Sequence, residues 1–326
     1  MSPVKNCIVT GGSGFIGTHL IRELLAMSDV GRIYVLDLVP PVVHDSRVTY
    51  RRCDIREPIA VAIDEPCHTC FHLAAVCKEP GYPWEAYFET NHRGTINVCD
   101  FLSQNGINSV VFTSTMMVFR AGDSKMQEDS LVAPDTAYGI SKLLAERELH
   151  AWSESRPERR LRIIRPGVVF GKGENGNFTR MYYALKRGLF AFVGRRTTIK
   201  GCVYVKDVVE CLKFVMTDPG RQVTYNLVLP EVTTVEYICE AFFQVFQFRR
   251  FIPTVPFVFA YLIGVLGETL AHLGIRSSIH RRRMEKLYYS TNLSVDALHA
   301  AGFRFRYTLR DGLADWRRDC LPEDLY

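Results

Sequence analysis

The chain has 326 residues, enough for two domains or for one large α/β domain with an ample core. Hydrophobic residues make up 47% and charged residues 23%, ordinary values for a globular protein that exclude a disordered or fibrous chain. The net charge of +5, with Lys and Arg spread along the chain, favours small anionic ligands and makes no case for nucleic acid. Ten cysteines without a framework, and a start at Met1–Asn6 that is no signal peptide, predict free thiols in a reducing cytoplasm.

The first element is Cys7-Ile8-Val9, a short apolar run that predicts a strand buried on both faces. Gly11, Gly14 and Gly17 follow, and a helical pattern begins with Phe15, Ile16, Leu20, Leu24 and Leu25. A glycine turn from strand to helix leaves backbone N–H groups and the helix dipole aimed at one spot that suits a pyrophosphate. The pattern alone also fits a tight turn without a ligand. The next strand, Arg32 to Leu36, ends at Asp37, about 20 residues after the last glycine, where a dinucleotide fold places the carboxylate that takes the adenosine ribose hydroxyls. That carboxylate repels a 2′-phosphate, and Leu38, Val39 and Pro40 supply no arginine, so the expected cofactor is NAD rather than NADP.

Strand and helix signals alternate through the first half, which predicts a doubly wound parallel sheet of the Rossmann type. Val48-Thr49-Tyr50 leads to Asp54-Ile55, a short helix is expected next, and Cys70 to Ala75 forms a strand. Cys67 and Cys70 have C-x-x-C spacing, but with no second ligand pair a structural role is expected and no metal site. A helical pattern runs from Trp84 to Ser103, a strand from Ser109 to Phe112 ends at Thr113-Ser114-Thr115, and a helix spans Tyr138 to about Glu154. A sixth strand, Leu161 to Ile164, closes with Arg165-Pro166-Gly167.

Past Gly171 the rhythm is lost. Residues 1–170 are expected to form the NAD-binding domain, with 200–228 returning to it through Val203–Val205 and Thr224–Leu227. Residues 171–199 and 229–326 then make a smaller substrate-binding lobe. The apolar run Val255 to Leu266 is shorter than the ~20 residues that cross a bilayer, and Glu268 and His272 interrupt its extension. It reads as a lobe helix or lid, with interfacial membrane contact as the alternative.

Tyr138 and Lys142 stand at i and i+4, on one face of a helix. A lysine cation stabilises a phenolate, so the pair is expected to work as an acid/base, with the Thr115 hydroxyl offered to the same substrate oxygen.

These residues together resemble the extended short-chain dehydrogenase/reductases, particularly their nucleotide-sugar epimerase/dehydratase branch. The resemblance rests on TGGSGFIG at 10–17, Asp37, Asp54-Ile55, HLAA at 72–75, Asn91 with Gly94-Thr95, TSTMMVF at 113–119, YGISK at 138–142 and YVKDV at 204–208. It implies cofactor contacts at Gly11, Gly14, Phe15, Ile16, Gly17, Asp37, Leu73, Ala74, Ala75, Asn91 and Thr113, with Asp54 and Ile55 flanking the adenine. Tyr138 and Lys142 would also hold the nicotinamide ribose, and Thr115, Tyr138 and Lys142 would be the catalytic set. For a nucleotide-diphosphate sugar it implies Asn177, Phe178, Lys200, Phe192 near the base, and a second phosphate contact from Arg281, Arg282 or Arg283. Dehydratases and decarboxylases of the family carry an acidic residue after the catalytic Ser/Thr, whereas Met116 and Met117 stand here.

The expectation is an NAD-dependent 4-epimerase, with a one-way 4-ketoreductase or dehydrogenase and a hydroxysteroid-type dehydrogenase as alternatives. The last is prompted by RPGVVFG at 165–171, with Val168 at a position where epimerases often have asparagine, and by the apolar segment 255–266. The family also pairs helices like those at 84–104 and 138–154 in a four-helix interface, which implies a homodimer.

Overall fold

The structure, a computed structural model, describes residues 5–79, 81–272 and 281–321. Strand β1 (Lys5–Thr10) leads through the glycine turn into α1 (Phe15–Ala26), then β2 (Val30–Asp37), β3 (Val48–Arg52) and β4 (Thr69–His72). A continuous helical stretch follows: α2 (Trp84–Tyr87), one π turn (Phe88–Arg93) and α3 (Gly94–Gln104). Next come β5 (Ser109–Thr113), β6 (Gly122–Met126), α4 (Ala137–Glu154), β7 (Arg160–Pro166) and β8 (Val168–Phe170). The second half holds α5 (Asn177–Lys186), β9 (Phe192–Val193), β10 (Cys202–Tyr204), α6 (Val205–Met216) and β11 (Gln222–Leu227). It ends with α7 (Val235–Phe246), β12 (Thr254–Val255), α8 (Phe257–His272), α9 (Arg281–Tyr288), β13 (Thr291–Leu293), α10 (Asp296–Ala300) and α11 (Leu309–Cys320).

Seven strands make one sheet in the order β11-β7-β5-β4-β1-β2-β3, and every pair is parallel. The central strands, β1 and β5 above all, are largely apolar on both sides because helices cover both faces. On one face Leu20, Ile21 and Leu24 of α1 pack with Val208, Leu212 and Val215 of α6; on the other Val98 and Leu102 of α3 pack with Ala145 and Leu149 of α4. Since all strands point one way, Gly11, Asp37, Leu73, Thr113 and Pro166 lie along a single edge. The chain reverses its progress across the sheet between β1 and β4, the crevice where doubly wound folds take ligands.

Two expectations shift. Residues 53–68 form no helix: Pro58 and Pro66 break the pattern, and Ile59, Val61 and Ile63 alternate onto one core face, as an extended chain requires. β11 completes the main sheet, but β10 pairs with β8 in a separate two-stranded sheet. A separate aromatic core joins Phe170 and the β10–α6 junction to segments of the C-terminal part, and in it the Phe170 and Phe178 rings stack at 4.6 Å between centroids with Trp316 beside them.

Candidate active site

The glycine turn is built by close approach. Gly11 has φ +69°, and a Cβ there would come within 2.5 Å of the Ala74 nitrogen; a Cβ on Gly17 would meet the Gly11 carbonyl at 2.5 Å. A Cβ on Gly14 would meet nothing nearer than the Gly11 carbonyl, at 3.2 Å. Gly14 caps α1 without a side-chain hydrogen bond, and no acidic residue sits in the first turn. The N–H groups of Phe15, Ile16 and Gly17 therefore have no helical acceptor and face an open spot at the positive end of the dipole. The side chains of Phe15 and Ile16 pack into the cores, so a cofactor would meet these two through the backbone.

Asp37 closes the turn. Its Oδ2 accepts from Ser13 N at 3.0 Å and its Oδ1 from Val39 N at 3.3 Å. Each oxygen keeps a lone pair for a ribose hydroxyl. Asp54 accepts from Arg56 at 2.6 Å, which holds its carboxyl below the usual range. Ile55 is buried against Gly94, and its carbonyl accepts from Asn97 Nδ2 at 2.8 Å.

A directed chain of hydrogen bonds ties this turn to α4. Thr95 Oγ1 donates to the Asn91 carbonyl at 2.6 Å, so at 3.0 Å from it His72 Nε2 must be the donor and Nδ1 the acceptor, taking the Thr10 hydroxyl at 2.7 Å. Burial holds His72 neutral, with its pKa lowered to about 3. From the π turn, Asn91 donates to Ser141 Oγ at 2.9 Å, and Ser141 donates to the Tyr138 carbonyl at 2.9 Å. Asn91 also exchanges two hydrogen bonds with the Val76 backbone, at 2.8 and 2.9 Å, fixing the loop after β4 that carries Leu73, Ala74 and Ala75. Its amide is thus spent on protein groups.

Tyr138 and Thr115 come together at the end of β5, near enough for the Thr115 hydroxyl to lower the pKa of the Tyr138 phenol, and Thr115 Oγ1 accepts from Met117 N at 3.2 Å. Gly139 permits the contact: a Cβ there would lie 2.2 Å from the Met117 carbonyl. Lys142 is buried, with Nζ 3.9 Å from the centre of the Phe112 ring. Here the structure corrects a simple expectation. Burial pushes the Tyr138 phenol well above its ordinary value, aided by the nearby Cys77 and Glu79, with only the Thr115 hydroxyl acting against it. Burial also lowers Lys142 to about 7, so the cation meant to draw the phenol down is itself disfavoured by the same burial.

The sequence reading missed Cys77 and Glu79, which lie on the loop after β4 and carry no motif. Glu79 Oε2, Thr113 Oγ1 and Ser114 Oγ are buried without a hydrogen-bond partner. Orphaned polar atoms beside a donor-rich turn and a free carboxylate edge fit a bound dinucleotide and a hydroxyl-bearing substrate.

On the lobe side, the predicted residues do not converge as simply. Asn177 is exposed at the start of α5, its Oδ1 accepting from Arg180 at 2.9 Å. Phe178 and Phe192 are buried in the aromatic core. Lys200 Nζ donates to the Lys286 and Tyr289 carbonyls, both at 2.6 Å, at the end of α9, leaving one N–H free; burial lowers its pKa to about 8. The side chains of Arg282 and Arg283 lie outside the described residues. Arg281 pairs with Glu268 at 2.6 Å. Cys70 is buried in β4, and no group of three or more His, Cys, Asp and Glu gathers as a metal-ligand set among the described residues.

The profile of the NAD dependent epimerase/dehydratase family matches residues 7–228. The chain is 29% identical over 318 residues to an N-acetyl-alpha-D-glucosaminyl-diphospho-ditrans,octacis-undecaprenol 4-epimerase of Escherichia coli O157:H7, covering 94% of this chain and 93% of that one. It is 26% identical to a UDP-glucose 4-epimerase of Vibrio cholerae, over 72% of this chain and 74% of that protein. Among solved structures it resembles MoeE5 in complex with UDP-glucuronic acid and NAD, at 25% identity and a TM-score of 0.73, covering 97% of this chain and 100% of that one. With the family profile spanning the sheet, the glycine turn and the Tyr138–Lys142 pair, the chain belongs to the NAD dependent epimerase/dehydratase family, enzymes of the extended short-chain dehydrogenase/reductase type that use NAD.

Proposed function

We propose that this chain is a 4-epimerase of a diphosphate-linked hexose, working through a transient 4-keto sugar. The observation that carries the reading is the hydroxyl pair of Thr115 and Tyr138 beside buried Lys142, followed by Met116 and Met117 where an elimination would need a carboxylate.

Thr115 and Tyr138 would both bind the reacting hydroxyl, and Tyr138 Oη would take its proton and later return it. NAD, when bound, would supply the acceptor for the hydride of the sugar carbon and the donor for its return to the other face. Lys142 would have to keep its own proton for the phenolate to form, because among the described residues no other cation influences the Tyr138 phenol. Phe15, Ile16 and Gly17 would hold the pyrophosphate through their N–H groups, and Asp37 the adenosine ribose. Asn177, Lys200 and an arginine of the 281–283 run would hold the substrate diphosphate while the hexose turns, a use of binding energy remote from the reacting carbon.

Our leading carrier for the sugar is a nucleotide. A polyprenyl diphosphate is a second reading, favoured by the outward apolar face of α8 and by the likeness to the Escherichia coli O157:H7 protein. We also propose a homodimer through the helices at 84–104 and 138–154, which a monomeric mass by light scattering would refute.

The test is to incubate the purified protein with UDP-, GDP-, CDP- and dTDP-hexoses and with polyprenyl-diphosphate N-acetylhexosamine. The 4-epimer is expected from one of them, without net change in absorbance near 340 nm. Stoichiometric NADH accumulation or consumption instead would make the chain a one-way dehydrogenase or reductase and overturn the epimerase reading.

A further inference from the structure

Helix α8 turns an apolar face outward. Its packed side holds the buried Ala260, the Phe257 ring 4.4 Å from that of Tyr288 in α9, and Glu268 in its pair with Arg281. The opposite side presents Val258, Phe259, Leu262, Ile263 and Leu266, exposed by 66, 61, 55, 50 and 58%. At 3.6 residues per turn these five occupy an arc of about 140°. A surface helix ordinarily shows water its polar residues, and a contiguous apolar patch marks a binding surface. At about 1.5 Å per residue, the 16 residues of α8 reach roughly 24 Å, short of the ~30 Å hydrocarbon core. No helix among the described residues is long and apolar enough to cross a membrane.

The charge around this face says what covers it. Residues 249–286 contain seven Lys or Arg and two Asp or Glu, a net of +5, and the whole chain carries +5. Along the sequence the rest of the chain is therefore balanced, and the excess falls within the stretch that contains α8 rather than being spread along the chain. Arg249 and Arg250 are exposed just ahead of Phe251, itself 84% exposed, and Lys286 is exposed on α9. A second copy docked through this face would set the basic stretch against itself across a two-fold axis, a like-charge contact that disfavours association. A lipid leaflet with anionic headgroups meets both features at once.

We propose that α8 lies in the interface of an anionic membrane leaflet, its five apolar side chains among the acyl chains and Arg249, Arg250 and Lys286 toward the headgroup phosphates. The docking is independent of the sugar chemistry, so it stands or falls apart from the epimerase reading.

The test is co-sedimentation of the full chain with vesicles of phosphatidylcholine alone and of phosphatidylcholine mixed with phosphatidylglycerol. Binding to the mixed vesicles is expected to exceed that to the neutral ones by about tenfold or more and to weaken with salt. The double variant Leu262→Glu with Ile263→Glu should lose binding while keeping the wild-type melting temperature and NAD content, since both positions are exposed. Arg249→Glu with Arg250→Glu should reduce binding to the mixed vesicles only. Absence of wild-type binding at low salt, or undiminished binding by the Leu262→Glu, Ile263→Glu variant, overturns the proposal. So does a wild-type dimer that binds no vesicle and that this variant dissociates, which would assign the face to a second copy.

Discussion

Arg165 holds Glu146 in a buried two-point ion pair, at 2.7 and 3.0 Å, one helical turn beyond Lys142. Glu146 is the main influence that raises the Lys142 pKa against burial. Strand β7 thus supports, through one carboxylate, the charge state of the lysine beside Tyr138. Glu146→Gln leaves Arg165 buried without its counter-charge, and breaking such a pair costs about 3–5 kcal/mol. The expected outcome is a large drop in melting temperature, together with a descending alkaline limb of the pH–rate profile displaced to lower pH. A profile unchanged in position would mean that Lys142 does not have to be charged for turnover.

Lys142 itself makes the cofactor-free protein sensitive to pH. Its folded-state pKa, about 7, lies below its ordinary value near 10.5. Between those values the unfolded chain binds a proton that the folded chain does not, so stability rises with pH across that window, and below about pH 7 the full cost of the buried charge is present. Lys142→Met should therefore melt higher than the wild type at pH 7, with the gap closing toward pH 10. Differential scanning calorimetry of NAD-free protein reads this directly, and a gap that is constant with pH contradicts it.

Asn91 offers a test of the hydrogen-bond chain from Thr10 to Tyr138. Asn91→Ala removes its bonds to Val76 and Ser141, leaving the half-buried Val76 backbone without both partners and Ser141 with only its bond to the Tyr138 carbonyl, a loss of about 1–3 kcal/mol. The loop after β4 and the first turn of α4 then lose their common anchor. The expected kinetic signature is a fall in kcat of roughly tenfold or more with little change in KM, because a small misplacement of Tyr138 affects the reacting geometry more than substrate binding. Equal losses in both parameters would point to general loosening instead.

The half of the molecule that binds the cofactor was legible because its chemistry is written in backbone constraints. Gly11, Gly17 and Gly139 stand where any side chain would strike a neighbouring main-chain atom, so the motifs carry their structural reason with them. The state of Tyr138 was not legible. Spacing puts Lys142 on its face of the helix, but the depth at which both sit decides their pKa values, and depth comes from the packing of α4 on β5. Glu79 was invisible for a related reason: it enters the site from a loop fixed through Val76 by Asn91 of the π turn, a contact that no local pattern announces. In the lobe, Phe178 and Phe192 read as ligand contacts, yet the structure uses them as core, because the short segments there need aromatic area to hold together. The charge excess at 249–286 was present in the sequence, and only the outward face of α8 gives it a meaning.

Asp37 decides between the two dinucleotides, and its geometry allows that to be separated from the stability of the turn. Its carboxylate accepts the Ser13 and Val39 N–H groups and has capacity left for two ribose hydroxyls. Hydrogen bonds to a charged group are worth about 1.5–3 kcal/mol each, so Asp37→Ala should weaken NAD binding by roughly 10–100-fold. It also removes the negative charge that would face a 2′-phosphate, so NADP affinity should hold or rise and the preference between the two should narrow. Asp37→Asn keeps one acceptor for the Ser13 N–H and removes the charge; it should retain more of the wild-type melting temperature than the alanine variant while losing the same discrimination. Isothermal titration of both variants with NAD and NADP measures each term. If NAD binding is unaffected in Asp37→Ala, the adenosine ribose is held elsewhere and the assignment of Asp37 fails.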